Sequence, residues 1–312
     1  MHIAVLGATS QIAKDLILAV AAERQHEFTL FARRPGLVGE WLAGAGLAGR
    51  YRVAEFSEFG PDGGFDAVLN FVGVGNPAQA VAMGASIFDV TLQYDELALD
   101  YVRKHPACRY IFLSSGAAYG LNFDQPVDAN ARSVVAINEL SPQDWYGAAK
   151  QHAECRHRAM PELPIVDVRV FNYFSHTQDL SARFLIADIL RAIRSKAVMT
   201  TSAAAIVRDY LHPTDFHQLI GAVLAAPPTN AVVDCYSRAP VDKFSLLQAM
   251  QQRFGLRYEI DESGAGVNAT GLKPHYYSLN RRAADFGYAP RLTSIDGVEQ
   301  ESEKILARDR HG

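Results

Sequence analysis

Through its first two thirds the chain alternates short runs of β-branched and aromatic residues with longer stretches of helical periodicity. A strand followed by a long helical connection and another strand closes as a crossover between parallel neighbours. The pattern predicts strands at His2–Leu6, Phe28–Ala32, Tyr51–Glu55, Ala67–Phe71, Tyr110–Ser114 and Ile165–Val170. Helices are expected over Ile12–Glu23, Ala78–Tyr101 in one or two pieces, and Tyr146–Met160. The strand segments are nearly continuous in apolar residues, as expected when helices cover both faces of a sheet. The fold class is therefore α/β, with a doubly wound parallel sheet.

After about Phe171 the alternation fades into irregular segments rich in Tyr, Arg and His. One strand (Ala231–Tyr236), a helix (Phe244–Phe254), a turn-rich stretch (Gly264–Pro274) and a final helix after Ser294 are expected there. The expected organisation is a nucleotide-binding Rossmann domain over 1–170, with a later contribution from about 208–240. Residues 171–312 would mainly form a smaller C-terminal α/β substrate-binding cap, interleaved with the sheet. The sequence holds no internal repeat, charge block or low-complexity tract.

With 49% hydrophobic and 21% charged residues, a chain of 312 residues can build one large core, and disorder is excluded. A net charge of −4 supplies no global basic field for nucleic acid or an anionic membrane. No apolar run approaches a bilayer span, and Met1 to Leu6 reads as a strand rather than a leader, so a cytoplasmic location is expected. Cys108, Cys155 and Cys235 are odd in number and far apart, which argues against a disulfide framework and a zinc site. His152, Cys155 and His157 look metal-like, but only His152 and Cys155 share a helical face, and no metal is expected.

The first strand runs into Gly7-Ala8-Thr9-Ser10-Gln11-Ile12-Ala13 and then a helix. That is the setting in which a glycine turn presents a helix N-terminus to a dinucleotide pyrophosphate. Gly7, Thr9, Ser10, Gln11 and Ile12 are the expected cofactor contacts, although only the first of the usual glycines is present. The second strand ends Phe31-Ala32-Arg33-Arg34, with no acid to bond the adenosine ribose. Arg33 and Arg34 can instead pair with a 2′-phosphate, so NADP(H) is expected over NAD.

Tyr146 and Lys150 stand at i and i+4 on one helical face. A lysine ammonium near a phenol favours phenolate, which should lower the tyrosine pKa toward the range useful for proton transfer. Ile111-Phe112-Leu113-Ser114-Ser115-Gly116 reads as a strand ending in hydroxyls, where the sheet would form its crevice.

The glycine turn is followed in order by Ser-Ser…Tyr-Gly at 114–120, Tyr-x-x-x-Lys at 146–150 and Arg-Val-Phe-Asn at 169–172. Arg-Asp-Tyr-Leu-His-Pro-Thr-Asp at 208–215 and Phe-Gly-Tyr-Ala-Pro at 286–290 complete the series. In this order the motifs resemble those of extended short-chain dehydrogenases/reductases, and more narrowly the nucleotide-sugar epimerase, dehydratase and reductase branch. The resemblance implies Tyr146 as acid/base, Lys150 as its partner and contact to the nicotinamide ribose, and Ser115 as the hydroxyl that holds the substrate oxygen. Ser115 is taken over Ser114 because the family's hydroxyl precedes the tyrosine of Tyr119-Gly120 by four residues. Asn172 and Arg208 match positions that hold a nucleotide-sugar diphosphate, although Arg208 could instead pair with Asp209 or Asp215. Asp89 matches a helix asparagine that supports the lysine. Members of the family are commonly homodimers through helices that would include Tyr146–Met160.

Dehydratases of the family carry an Asp–Glu pair after the catalytic hydroxyl, where this chain has Gly116 and Ala117. Neither can act as acid or base. The expected function is NADPH-dependent reduction of a keto group on a nucleotide-linked sugar, of the 4-keto-6-deoxyhexose type. The alternative is a nucleotide-sugar epimerase with retained NAD(P). A non-catalytic NADP-binding protein is a third reading, against which the intact Ser115, Tyr146 and Lys150 argue.

Overall fold

The structure, a computed structural model, describes residues 1–308 apart from 24, 75–79, 81, 121, 183 and 262–272. The turn-rich stretch expected at 264–274, and residues 78, 79 and 81 of the second expected helix, therefore lie largely outside the described residues.

The chain begins β1 (His2–Leu6), α1 (Gln11–Val20), β2 (Glu27–Phe31), α2 (Pro35–Gly44), β3 (Arg52–Ala54) and β4 (Ala67–Asn70). It continues through α3 (Ser86–Lys104), β5 (Arg109–Ser115), α4 (Pro142–Arg158), β6 (Ile165–Val170), β7 (Asn172–Tyr173) and α5 (Leu185–Ser195). Then come β8 (Val198–Ser202), β9 (Val207–Arg208), β10 (Tyr210–Leu211), α6 (Pro213–Ala225), β11 (Ala231–Asp234), β12 (Val241–Asp242) and α7 (Lys243–Phe254). β13 (Arg257–Asp261), β14 (His275–Tyr276) and α8 (Ser294–Arg308) close the chain.

The central sheet has seven strands in the order β11-β6-β5-β4-β1-β2-β3. Every pairing in it is parallel. Chain order reverses between β1 and β4, and a doubly wound sheet opens its ligand crevice beyond the strand ends at that switch. Two cores pack the sheet. One gathers Leu16, Phe71, Phe216 and Leu219 around α1 and α6, and the other gathers Leu99, Val102, Tyr110 and Phe112 against α3. A third core, built from Ile186, Ile189, Leu247 and Met250, holds α5 and α7 together away from the sheet.

Local chemistry explains several boundaries. Ser10 caps α1 by accepting the Ala13 amide at 3.2 Å. At the start of α4, Pro142 follows Ser141, whose own amide donates to Asp144 Oδ2 at 2.8 Å in a capping box. That box starts α4 four residues before the expected Tyr146. Three helices exceed the sequence reading. In α2, glycines at 36, 39 and 44 weaken helix propensity. The other two, α5 and α6, sit where strand–helix alternation had already lapsed and owe their form to packing.

Candidate functional site

Gly7 takes φ +82°, and a Cβ there would lie 2.8 Å from Val72 N and 2.9 Å from Phe71 C. The turn thus needs glycine because it packs against the chain leaving β4. Gly7 N and Ala8 N both donate to Phe31 O, at 2.9 and 3.1 Å, which fixes the turn between β1 and β2. With Ser10 capping Ala13, the Gln11 and Ile12 amides remain without intrahelical acceptors, which is the setting that favours an anion. Thr9 is exposed beside them. The Gln11 side chain turns away and donates to Ser175 Oγ at 2.9 Å, while Ile12 packs against the core. Arg33 and Arg34 follow β2, both are exposed, and neither forms a salt bridge among the described residues.

Ser115 ends β5. The helix that carries Tyr146 and Lys150 approaches it closely, since a Cβ at Gly147 would fall 2.5 Å from Ala117 O. Ser115 Oγ accepts the Ala117 amide at 3.1 Å and interacts with the Tyr146 phenol. A second phenol, Tyr276 from β14, stands 3.4 Å from the same oxygen. The Phe171 ring already fills the space beside Gly116, within 2.4 Å of where a Cβ would be, so an acidic side chain there would have to displace it.

Lys150 is buried. Its Nζ donates to Leu113 O at 2.7 Å, lies 4.3 Å from the centre of the Phe112 ring, and approaches Gly73 at the exit of β4. Burial lowers its pKa to about 8, against the attraction of Asp95, Glu154 and Asp167. The expected lowering of the tyrosine pKa by this lysine does not occur. Burial pushes the Tyr146 phenol up and Ser115 pulls it down, while the ammonium is directed at the Leu113 carbonyl. The Asp89 assignment is also corrected: Asp89 is exposed in the first turn of α3, and the α3 carboxylate that acts on Lys150 is Asp95.

Arg208 is buried and pairs with neither acid considered for it. Its Nη1 donates to the carbonyls of Val207 and Lys273 at 2.8 and 2.7 Å. Asp209 is taken by the Ser237 amide and the Ser294 hydroxyl, and Asp215 by the amides of Arg291 and Leu292. Burial lowers the Arg208 pKa. Lys273, which the sequence reading did not single out, lies beside it, and burial together with Arg208 brings this lysine down to about 8. Asn172 is in the same region, but its amide protons go to the carbonyls of Asp209 and Tyr276, both at 3.3 Å, which ties β7 to its neighbours.

The metal-like spacing on α4 is taken apart by the fold. His157 is fully buried between Asp167 Oδ1 at 2.6 Å and Asp95 Oδ1 at 2.8 Å, whereas His152 and Cys155 are exposed. Among the described residues no group of three or more His, Cys, Asp or Glu is placed to hold a metal, and no helix is long and apolar enough to cross a membrane.

Solved structures share this architecture along its whole length. UDP-glucose-4-epimerase from Stenotrophomonas maltophila, with bound NAD and formylated UDP-arabinopyranose, superposes with a TM-score of 0.80 at 16% identity, covering 100% of each chain. UDP-glucuronic acid 4-epimerase from Bacillus cereus in complex with NAD gives 0.76 at 15% identity, over 99% of each chain. dTDP-glucose 4,6-dehydratase from Bacillus anthracis in complex with NAD gives 0.76 at 15%, over 100% of this chain and 98% of that one. No curated protein matches the sequence. At such identities the likeness shows a common fold. Sequence adds the family, because residues 3–235 match the one described as NAD dependent epimerase/dehydratase, a span from the first strand to the last strand of the sheet. The chain therefore belongs to the NAD dependent epimerase/dehydratase family, enzymes of the extended short-chain dehydrogenase/reductase type.

Proposed function

We propose that the protein reduces a keto group on a nucleotide-linked sugar, of the 4-keto-6-deoxyhexose type, with NADPH as the reductant. The observation that carries the reading is buried Arg208 beside half-buried Lys273. The two neighbouring cations repel each other, with Asp144 attracting only Lys273, and gain from a doubly charged diphosphate. Tyr276 joins this pair to the hydroxyls, since the Lys273 ammonium lies 4.8 Å from its ring centre and its phenol reaches Ser115. The substrate's diphosphate and reacting oxygen can thus be held at once. Asn172 lines the same place as a positioning side chain.

The residues also fit a nicotinamide dinucleotide. Buried Lys150 has one hydrogen-bond acceptor for its three protons among the described residues, and it faces the exit of β4, so a ribose hydroxyl would complete it. The free amides of Gln11 and Ile12 suit the pyrophosphate, and Arg33 and Arg34 suit a 2′-phosphate. When bound, the nicotinamide supplies the hydride. Tyr146 gives its phenolic proton to the ketone oxygen, and Ser115 donates a hydrogen bond to the same oxygen and orients it. Lys150 holds the ribose and, once its ammonium is brought into play, favours the phenolate left behind.

The alternative reading is an epimerase that oxidises and re-reduces one sugar carbon with retained cofactor. Two of the structures described above, both 4-epimerases holding NAD, favour it. A homodimer through helices that include Tyr146–Met160 is proposed, and the cytoplasm as the site of action.

NADPH absorbance decides between the reactions when the protein is mixed with UDP-, dTDP-, GDP- and CDP-linked 4-keto-6-deoxyhexoses. Stoichiometric oxidation with one nucleotide series, reduced about 10²- to 10⁴-fold by Tyr146→Phe, is the expected result. Absence of NADPH loss throughout the panel, with interconversion of a UDP-hexose instead, would replace the reductase by the epimerase.

A further inference from the structure

Two phenols converge on one serine, and the donor chosen between Ser115 and Tyr276 sets where the serine proton can go. Tyr276 is locked by aromatic packing, 4.7 Å from Phe123 and 5.2 Å from Phe171 between ring centres. Its oxygen stands 3.4 Å from Ser115 Oγ, a contact in which either hydroxyl can donate. Ser115 Oγ has two lone pairs and one proton. Ala117 N–H occupies one lone pair at 3.1 Å, and a Tyr276 hydroxyl that donates to the other would direct the serine proton toward a third oxygen. The 3.4 Å separation is long for hydroxyls, and such contacts commonly tighten when a substrate binds.

We propose that Tyr276 is a positioning residue of the catalytic centre, whose hydroxyl holds Ser115 as an obligatory donor. In the free protein Ser115 then donates to the Tyr146 oxygen, and with substrate bound to the oxygen being protonated. This deepens the proposed function and rests on Tyr146 as the group that exchanges the proton. Without the Tyr276 hydroxyl, Ser115 is free to rotate and accept from Tyr146, which favours the protonated phenol. Burial keeps Tyr276 itself protonated as the fixed end of the chain. The charged groups around the trio are Lys150, one turn along α4 and directed at Leu113; Arg208 from β9; Lys273 before β14; and Asp144 at the start of α4, which attracts Lys273.

Tyr276→Phe keeps the ring and removes only the hydroxyl, so packing alone should be indifferent to it. The Tyr146 titration is obtained by pH jump as the ultraviolet phenolate signal of the protein minus that of Tyr146→Phe, and again with both members carrying Tyr276→Phe. An upward displacement of about one pH unit is expected, together with an equal displacement of the limb of kcat/KM that Tyr146 governs. KM for the nucleotide sugar should stay unchanged. In a Ser115→Ala background, Tyr276→Phe should move the Tyr146 titration no further, because the link between the phenols is already gone. An unmoved titration in the Tyr276→Phe protein, or an equal shift with and without Ser115, would overturn the proposal. The titration needs no substrate, so failure of every nucleotide sugar to react would remove the proposed function while leaving this measurement readable.

Discussion

The two faces of α4 carry buried charge in opposite ways. Beneath it, cations and carboxylates among the described residues meet in ion pairs. His157 lies between Asp95 and Asp167, Arg156 pairs with Asp95 and Glu96, Arg158 with Asp167, and Arg169 with Glu154. Burial opposes the charge on His157 and Arg169, yet the carboxylates outweigh it and raise both pKa values, that of His157 to about 9. Toward the crevice, Lys150, Arg208 and Lys273 are paired chiefly with carbonyls and rings, and burial lowers the pKa of all three. A compensated ion layer fixes where helices sit. Uncompensated cations cost stability in the free fold and recover it when an anion or a ribose hydroxyl arrives. Burial lowers the pKa of Arg158 in the paired layer as well, so it is the carboxylate partner, and not the sign of the shift alone, that separates structural charge from charge open to ligands.

The sharpest way to break this contrast is to strip one partner from the paired layer. Asp167→Ala leaves His157 and Arg158 short of a counter-ion, and denaturant unfolding should report a loss of about 3–5 kcal/mol. Loss below about 1 kcal/mol would mean that the layer is not compensated as described. On the crevice side the expectation inverts. Arg208→Met should leave stability unchanged or raise it by about 1 kcal/mol, because a buried charge without a carboxylate is removed. Titration calorimetry should show nucleoside diphosphate binding weakened about 10- to 100-fold, equivalent to about 1.4–2.8 kcal/mol. A fold destabilised as strongly as by Asp167→Ala would make Arg208 structural.

The smallest effect is a pH slope. The folded pKa of His157, about 9, exceeds the ordinary value of 6.5, so its contribution to stability is full below pH 6.5 and is lost as pH rises through 9. Lys150 and Lys273 are shifted the other way, from 10.5 to about 8, so the cost of burying them is relieved only above pH 8. Between pH 6.5 and 8 the histidine acts alone among these groups. Unfolding free energy should fall by about 1–2 kcal/mol across that window, and the slope should disappear in His157→Gln. A slope that persists in the variant would assign it to another group.

Sequence patterning was most legible where a local rule and the tertiary fold agree. β1 and β6 have the bounds that their largely apolar runs predict, because a strand covered on both faces favours apolar residues. The two charges in β6, Asp167 and Arg169, are ion-paired. The spacing of Tyr146 and Lys150 guarantees one helical face, and the glycine at 7 guarantees a turn that other residues would strain. Local rules were weaker for α2, whose glycines disguise it, and for α5, whose amphipathic face acquires meaning only against α7 and α8.

The strands of the central sheet, the position of the glycine turn and the serine, tyrosine and lysine were set by the sequence alone, because each depends on residues that are neighbours along the chain. Tertiary structure decided the rest. It turned Lys150 toward Leu113 rather than the phenol, moved the supporting acid from Asp89 to Asp95, and left Arg208 without Asp209 or Asp215. It also brought Tyr276 to Ser115 across 161 positions of chain and Lys273 to Arg208 across 65. Such meetings depend on how sheet and cap close on each other, and burial then fixes which charges are paired and which wait for a ligand.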